Sequence, residues 1–139
     1  MASPKLADLA QELGAFLRYS TSLEPRFSEL VILVTASHWK SGYEWAHHVP
    51  LARAAGVPEP VIAAIGSESP IDLADPTMAA VLNASRTLLQ TGALDDASFE
   101  GLREALGDCG VVEVVGLLGY YSMLAMLMNT YETPVDAPD

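Results

Sequence analysis

The sequence predicts a single all-α domain of about six to seven helices, and three observations lead to this prediction. The 139 residues suit one compact domain that can bury a core. Apolar residues recur at helical spacing, and no segment alternates apolar and polar residues as a half-buried strand does. No linker, repeat or low-complexity stretch divides the chain. We place the domain at residues 1–132 and expect residues 133–139, TPVDAPD, to be a disordered tail.

The first three predicted helices are marked by their boundary residues. Ser3 and Pro4 form a cap and a proline start for the first helix. One face of that helix carries four apolar residues, Leu6, Leu9, Leu13 and Phe16. The second helix begins at Pro25; its β-branched middle would also suit a strand, but its length favours a helix. The third begins at Ser41 and ends near Gly56.

Four further helical segments are expected in the rest of the chain. They span about 58–66, 75–92, 96–107 and 110–131, with proline or aspartate near several starts and glycine near several ends. The last segment contains an apolar run close to the length of a membrane span. Glu113 and two glycines interrupt this run and no basic flank follows it, so we interpret it as a helix buried on most sides.

The composition predicts a homo-oligomer with a small-molecule partner. Half of the residues are hydrophobic and only 18% are charged, whereas a soluble monomer usually has a more polar surface. We therefore expect apolar surface to be covered between identical subunits. The net charge of -11 argues against nucleic acid and against anionic membranes as partners. It does not argue against a small acidic ligand, because one arginine can bind an anion.

The cysteine content and the N-terminus limit the chemistry and the compartment. Cys109 is the only cysteine, so the chain has no internal disulfide and no Cys-x-x-Cys pair. It lies between predicted helices with no histidine nearby in sequence, which is typical of an incidental thiol rather than a nucleophile. The N-terminal residues lack the basic segment and apolar stretch of a signal peptide, so we expect a cytoplasmic protein.

The segment SGYEWAHHVP, residues 41–50, concentrates the candidate site residues. Ser41 and Glu44 have the spacing of a capping box, in which each side chain accepts a hydrogen bond from the other residue's amide. His48 follows Glu44 by one helical turn, on the same face as Trp45. The Glu44–His48 pair is either a plain surface pair or an oriented acid and base.

Two further residues bear on this pair. Glu44 and His48 could together ligate a metal ion, with His38 of the preceding helix as a third ligand. Because no third ligand is assured, we predict no metal site. Glu29 is either a solvent-facing carboxylate near a helix start or a half-buried acid, and spacing leaves both readings open.

Residues 25–65, PRFSELVILVTASHWKSGYEWAHHVPLARAAGVPEPVIAAI, resemble the core of the carboxymuconolactone decarboxylase family, which is related to alkyl hydroperoxidase D. The resemblance is carried by Arg26, by ELVILV, by YEW followed by His48, and by ARAAGV; GLLGYY near the C-terminus is also similar. It implies an all-α helical bundle of the alkyl hydroperoxidase D-like type. It further implies a homotrimer or homohexamer with active sites near the subunit contacts.

The two branches of the family differ at the candidate site. The hydroperoxidase branch has a glutamate and a histidine at the positions of Glu29 and His48, with a Cys-x-x-Cys pair between them. Ser41 and Glu44 stand at the two cysteine positions, which removes the thiol redox chemistry. The decarboxylase branch carries a Glu-x-x-x-His pair, which Glu44 and His48 match, and an arginine at the position of Arg26.

We hypothesise that Glu44, His48 and Glu29 converge as catalytic groups in a poorly hydrated pocket. One carboxylate would stay protonated while His48 pairs with the other, which gives a proton donor and an acceptor for one substrate. No cofactor is expected, because the carbonyl of a suitable substrate accepts the electrons itself. The residues expected to contact the substrate are Arg26, which would hold its acid group, and Ser41, His38 and Trp45.

The predicted function is therefore cofactor-independent decarboxylation, or lactone isomerisation or opening, of a small acidic lactone or keto acid. Two alternatives stay open. The chain could be a non-catalytic oligomeric protein that binds a small molecule on the same scaffold. A peroxidase-type activity is disfavoured, because Cys109 is the only thiol available.

Overall fold

The computed structural model describes residues 2–137, and this part of the chain forms six α-helices and no strand. The helices are α1 (Pro4–Tyr19), α2 (Pro25–His38), α3 (Gly42–Ala55), α4 (Glu59–Gly66), α5 (Pro76–Thr91) and α6 (Asp96–Thr130). The all-α prediction is confirmed. The segment whose β-branched middle also suited a strand is α2, and the two last predicted helices are the two parts of α6.

Helix α2 forms the centre of the bundle. It packs against α3, α4, α5 and α6, while α1 packs chiefly against α6. An unbroken run from Leu30 to Ala36 is buried, because every side of this helix has a neighbour. This burial explains why α2 lacks the single apolar stripe of a surface helix. A polar residue within this run, such as Thr35, is therefore held inside the protein.

Capping follows the sequence at some helix ends and departs from it at others. The Asp75 carboxylate accepts hydrogen bonds from the amides of Thr77 and Met78 at the start of α5. Ser3 and Ser41 precede α1 and α3 but make no side-chain cap hydrogen bond. Ser3 is the N-cap residue of α1 as predicted, although its side chain makes no cap hydrogen bond, and the predicted capping box at Ser41 is wrong.

Gly107 divides α6 into the two parts that the sequence predicts as separate helices. Its φ of 75° and ψ of 171° are not helical, and only glycine adopts this conformation without strain. The second part carries most of the buried residues of α6, including Val114, Leu117 and Tyr121. The bend therefore changes the direction of α6 ahead of the part that contributes most of its core residues.

Helix α6 is the only helix in residues 2–137 that is long and apolar enough to cross a membrane by length and composition. The core helix of a globular protein meets the same criteria.

The outer faces of two helices are apolar and exposed. On α1 they comprise Leu6, Leu9, Leu13 and Phe16, the stripe that the sequence places on one face. On α6 they include Val112, Val115, Met126 and Leu127. Exposed apolar faces of this extent usually mark an interaction surface.

Residues 131–137 form turns rather than a further helix. The amide of Thr133 donates to the carbonyl of Met128, and the amide of Ala137 donates to the carbonyl of Pro134. Residues 138–139 of the predicted tail lie outside the described residues. The disorder of residues 133–139 stays a prediction.

Candidate functional site

His48 lies between two carboxylates, one at each ring nitrogen. Its Nδ1 is 2.8 Å from Oε2 of Glu29, and its Nε2 is 3.2 Å from Oε2 of Glu44. The side chains of His48 and Glu44 are 3% and 6% exposed, and that of Glu29 is 16% exposed. Glu29, Glu44 and His48, which the sequence predicts to converge, therefore lie together and are largely shielded from solvent.

The helical geometry explains this arrangement. Glu44 and His48 are four residues apart on α3, so their side chains neighbour each other along one face. Glu29 comes from α2, which packs closely against α3. The Glu44 carboxylate is thus directed to His48 and not to the amide of Ser41, which is why the capping box does not form.

The pKa of His48 is raised above its ordinary value of 6.5. Burial is the largest single influence and lowers this pKa, but the hydrogen bonds and the charges of Glu29 and Glu44 together outweigh it. When protonated, the ring has two N–H groups, and each donates to one carboxylate. The predicted partition, with His48 paired to only one carboxylate, is replaced by a ring that lies between two carboxylates.

One side of this triad faces a cavity of about 440 Å³. Glu44 and His48 line it, whereas Glu29 lies behind His48 and is not among the lining residues. Arg18 from the last turn of α1 is also in the lining. The rest of the wall consists of Tyr43, His47, Tyr120, Tyr121, Leu124 and Met128. The cavity therefore combines an acid–base pair, one cation and an aromatic and apolar wall.

Both tyrosines of the second part of α6 are held in their neutral form. Burial raises the pKa of Tyr120 and of Tyr121, and the negative charge of Glu44 raises each further. The positive charge of Arg18 acts in the opposite direction on both. The ring of Tyr121 also contacts His48 edge-on, with 5.4 Å between the ring centroids. At neutral pH the two phenols are hydrogen-bond donors next to the triad.

Arg26 is not in this cavity, contrary to the prediction. Its Nη1 is 3.0 Å from Oδ2 of Asp75 and its Nε is 2.9 Å from Oε2 of Glu24. The guanidinium also lies over the ring of Phe27, 4.5 Å from its centroid. Arg26 therefore joins the start of α2 to the start of α5.

The other three expected substrate contacts line two further cavities. Ser41 and Trp45 line one of about 310 Å³, and His38 lines one of about 580 Å³. Neither cavity shares a lining residue with the cavity at His48. The predicted substrate contacts are therefore separated from the predicted catalytic pair, because they lie on other faces of α2 and α3.

His38 is also separated from Glu44 and His48 as a metal ligand. In residues 2–137 no group of three or more His, Cys, Asp or Glu side chains is arranged to hold a metal ion. The Glu29 and Glu44 carboxylates bind opposite nitrogens of the same ring, so they do not point towards a common centre.

Comparison with known proteins places this site in a family. The model of the carboxymuconolactone decarboxylase family matches residues 4–87, more than half of the chain. The chain belongs to the carboxymuconolactone decarboxylase family. No curated protein matches it in sequence at a significant level. The family predicted from the sequence is confirmed.

Two solved structures share the fold of this family member. A protein of unknown function from Agrobacterium tumefaciens, ATU0492, which has been likened to the antioxidant defence protein AhpD, superposes with a TM-score of 0.82. It is 23% identical, over 99% of this chain and 94% of its own. A variant of the debrominase Bmp8 bound to 2,3,4-tribromopyrrole superposes with a TM-score of 0.79 at 14% identity, over 98% and 73% of the two chains. The predicted AhpD-like fold is confirmed.

Cys109, the single thiol of this family member, lies away from the triad on α6. Its Sγ is 3.1 Å from Oε1 of the buried Glu113. Glu113 also accepts hydrogen bonds from the amide and the hydroxyl of Ser22. These bonds outweigh the effect of burial and lower the pKa of Glu113. The cluster fastens the loop after α1 to α6 and shares no residue with the cavity at His48.

Of the nine residues that line the cavity, sequence reasoning predicted only Glu44 and His48. Among the seven that it missed are Arg18, Tyr120 and Tyr121. Arg18 is at the end of a helix whose pattern reports only its apolar stripe. The two tyrosines occur in GLLGYY, which the sequence comparison noted as family-like without giving them a role. Only the tertiary packing of α1 and α6 brings them to the Glu44–His48 pair.

Proposed function

We propose that this family member is an enzyme that performs cofactor-independent acid–base chemistry on a small acidic lactone or keto acid. Decarboxylation is the leading reaction, and lactone isomerisation or opening uses the same groups. The observation that carries the proposal is the buried His48 held between Glu29 and Glu44, with one side open to a cavity that also contains Arg18.

The three members of the triad have different roles in this proposal. Glu44 and His48 line the cavity and are the catalytic residues, which exchange a proton with the substrate. Glu29 does not reach the cavity and is a positioning residue that orients His48 and stabilises its charge. This revises the sequence hypothesis, in which Glu29 itself acted on the substrate.

Arg18 takes the role that the sequence gave to Arg26. Its guanidinium can bind the carboxylate of a substrate through two parallel hydrogen bonds. The phenols of Tyr120 and Tyr121 stay protonated and can donate hydrogen bonds to a substrate carbonyl. A volume of about 440 Å³ is within the range for small-molecule sites.

Decarboxylation at this site needs no group beyond those present. The bond between the carboxylate carbon and the neighbouring carbon breaks, carbon dioxide leaves, and the electron pair delocalises onto the adjacent carbonyl oxygen. Donors such as the tyrosine hydroxyls stabilise that oxygen. A proton from the Glu44–His48 pair then adds to carbon, and solvent returns the proton to the pair. Lactone isomerisation would use the pair first as base and then as acid.

We also propose that the protein functions as a homotrimer or homohexamer. The support is the exposed apolar stripe of α1, together with the exposed apolar residues of α6. Since α1 carries Arg18 into the cavity, contacts between copies on this helix would lie close to the site.

Variants of Glu44 and His48 test the enzymatic function. A panel of lactone acids and keto acids would be screened with the wild-type protein by monitoring carbon dioxide release and substrate absorbance. For an accepted substrate, Glu44→Gln and His48→Ala should each lower kcat about 10²- to 10⁴-fold. Glu104→Gln, which removes an exposed carboxylate elsewhere, is the matched control and should keep full activity.

Circular dichroism and light scattering would verify that each variant keeps its fold and its oligomeric state. Unchanged turnover in both folded site variants would overturn the residue assignment. Saturable binding of an acid without product in the wild type would instead favour a non-catalytic binding protein. Cys109→Ser should be fully active, and a loss of activity there would reopen the peroxidase alternative.

A further inference from the structure

The largest of the three cavities lies outside the proposed active site and has its own chemical character. It measures about 580 Å³ and is formed where α2 and α4 end, against α5. Three of its residues carry cationic or imidazole side chains: His38, Lys40 and Arg86. Three others, Val34, Ile65 and Leu89, give it an apolar wall.

Positive charge is scarce in this protein, yet two cations share this cavity. The chain has seven lysines and arginines against eighteen aspartates and glutamates. In residues 2–137, neither Lys40 nor Arg86 has a carboxylate oxygen within 4.0 Å, although Glu68 lines the same cavity. Neither charge is neutralised by a carboxylate in the described part of the chain, so both are available to an external anion.

The backbone around the cavity leaves these cations available. Nη2 of Arg86 donates to the carbonyl of Ala64 at 3.1 Å, which fixes the guanidinium and leaves its other N–H groups for a ligand. The hydroxyl of Ser37 donates to the carbonyl of Ile65 at 2.8 Å. The last carbonyls of α4 are thus already hydrogen-bonded, so they would repel an anion less.

An adjoining cavity adds a polar group that has no partner in the fold. The two cavities share Ser37 and Lys40, and the second contains Ser41 and Trp45. The Ser41 hydroxyl is buried and makes no hydrogen bond within residues 2–137. A buried hydroxyl without a partner costs free energy unless a ligand satisfies it.

We propose that this groove, formed by the cavities at Arg86 and Ser41, binds an organic carboxylate with an apolar body. The carboxylate lies between Arg86 and Lys40, and the apolar body packs on Val34, Ile65 and Leu89. A polar substituent of a longer ligand reaches the Ser41 hydroxyl. This second site is independent of the proposed reaction at His48, with which it shares no lining residue.

A matched pair of variants tests the site with benzoate as the probe. Lys40 and Glu68 line the same cavity with opposite charges, and both have a left-handed backbone, with φ of 53° and 54°. Asparagine tolerates that conformation well, so Lys40→Asn and Glu68→Asn each remove one charge without backbone strain. Binding would be followed by amide chemical shifts of the ¹⁵N-labelled protein, with benzyl alcohol and inorganic phosphate as comparison ligands.

The wild type should bind benzoate saturably, with the largest shifts at residues 38–40, 68 and 86–90, and should not bind benzyl alcohol there. Lys40→Asn should weaken binding about two- to fivefold and Glu68→Asn should tighten it. Arg18→Gln, in the other cavity, should leave these shifts unchanged.

Equal affinity in the wild type and both charge variants, or no saturable shifts, would overturn the proposal. Tighter binding of phosphate than of benzoate would overturn the assignment to an organic acid. Benzoate shifts lost only in Arg18→Gln would place the anion at His48 instead.

Discussion

Replacing Glu29 by glutamine should destabilise the protein at mildly acidic pH and much less at alkaline pH. Oε2 of Glu29 is 2.8 Å from Nδ1 of His48, and the two side chains are 16% and 3% exposed. A hydrogen bond to a charged group contributes about 1.5–3 kcal/mol and a neutral one about 0.5–1.5 kcal/mol. Glutamine keeps an oxygen acceptor but not the charge, so the loss should be about 1–1.5 kcal/mol while His48 is protonated.

The pH dependence follows from the raised pKa of His48. A raised pKa in the folded state means that protonation of His48 stabilises the fold. That stabilisation is complete below the unfolded value of 6.5 and is lost as pH rises through the folded value. The cost of Glu29→Gln should therefore be largest below pH 6.5 and decline as the pH rises through the folded pKa of His48.

Thermal unfolding of wild type and Glu29→Gln across this pH range would measure the effect. A loss of about 1–1.5 kcal/mol corresponds to roughly 3–5 °C in Tm for a domain of this size. Glu104→Gln is the control for removal of an exposed carboxylate and should show no comparable shift at either pH. Nuclear magnetic resonance of the His48 ring should also show a lower pKa in Glu29→Gln. An equal Tm loss at both ends of the range would refute the charge-sharing triad.

Three substitutions test other parts of the structure. Ser41→Ala should leave Tm unchanged or raise it, because the buried hydroxyl makes no hydrogen bond in the chain; a loss above about 1 kcal/mol in urea unfolding would contradict this. Gly107→Ala should cost about 1–3 kcal/mol, since φ of 75° with ψ of 171° is strained for alanine, and a neutral effect would mean that the bend is not needed. Gly14→Ala would put a Cβ 2.2 Å from the Tyr120 hydroxyl. It should lower Tm and displace the Tyr120 ring resonances, whereas an unchanged spectrum would contradict the packing of α1 on α6.

The helices could be predicted from the sequence because their boundaries are local. Pro25, Pro76, Gly56 and Gly92 have backbone preferences that act without tertiary contacts, and each lies at or next to a helix end. The division at Gly107 was also visible for this reason. The Ser41 cap was not predictable, because Glu44 can serve either the amide of Ser41 or the ring of His48. Burial decided that competition, and spacing does not report burial.

The contact between Glu44 and His48 could be predicted from the sequence, whereas the other residues around the cavity could not. Glu44 and His48 are one turn apart on one helix, so their spacing in the sequence predicts their contact. Glu29 could be added only through the resemblance to a family, since it lies on another helix. Arg18 lies on α1, still farther from Glu44 in the sequence than Glu29 is. The sequence of α1 contains no feature that favours Arg18 over Arg26 as the anion-binding residue. Arg26 is instead neutralised by Glu24 and Asp75, a pairing that requires the start of α5 to be placed first.

The attachment of α1 has a consequence for how the protein responds to dilution. Within the subunit, α1 packs mainly against α6, and its other face is apolar and exposed. It also places Arg18 in the lining of the cavity at His48. If α1 is packed between subunits, dissociation of the oligomer would make α1 and Arg18 more mobile. Glu44 and His48 would keep their positions, because they lie on α3. As the protein is diluted, the affinity for the acidic substrate would then decrease before kcat does.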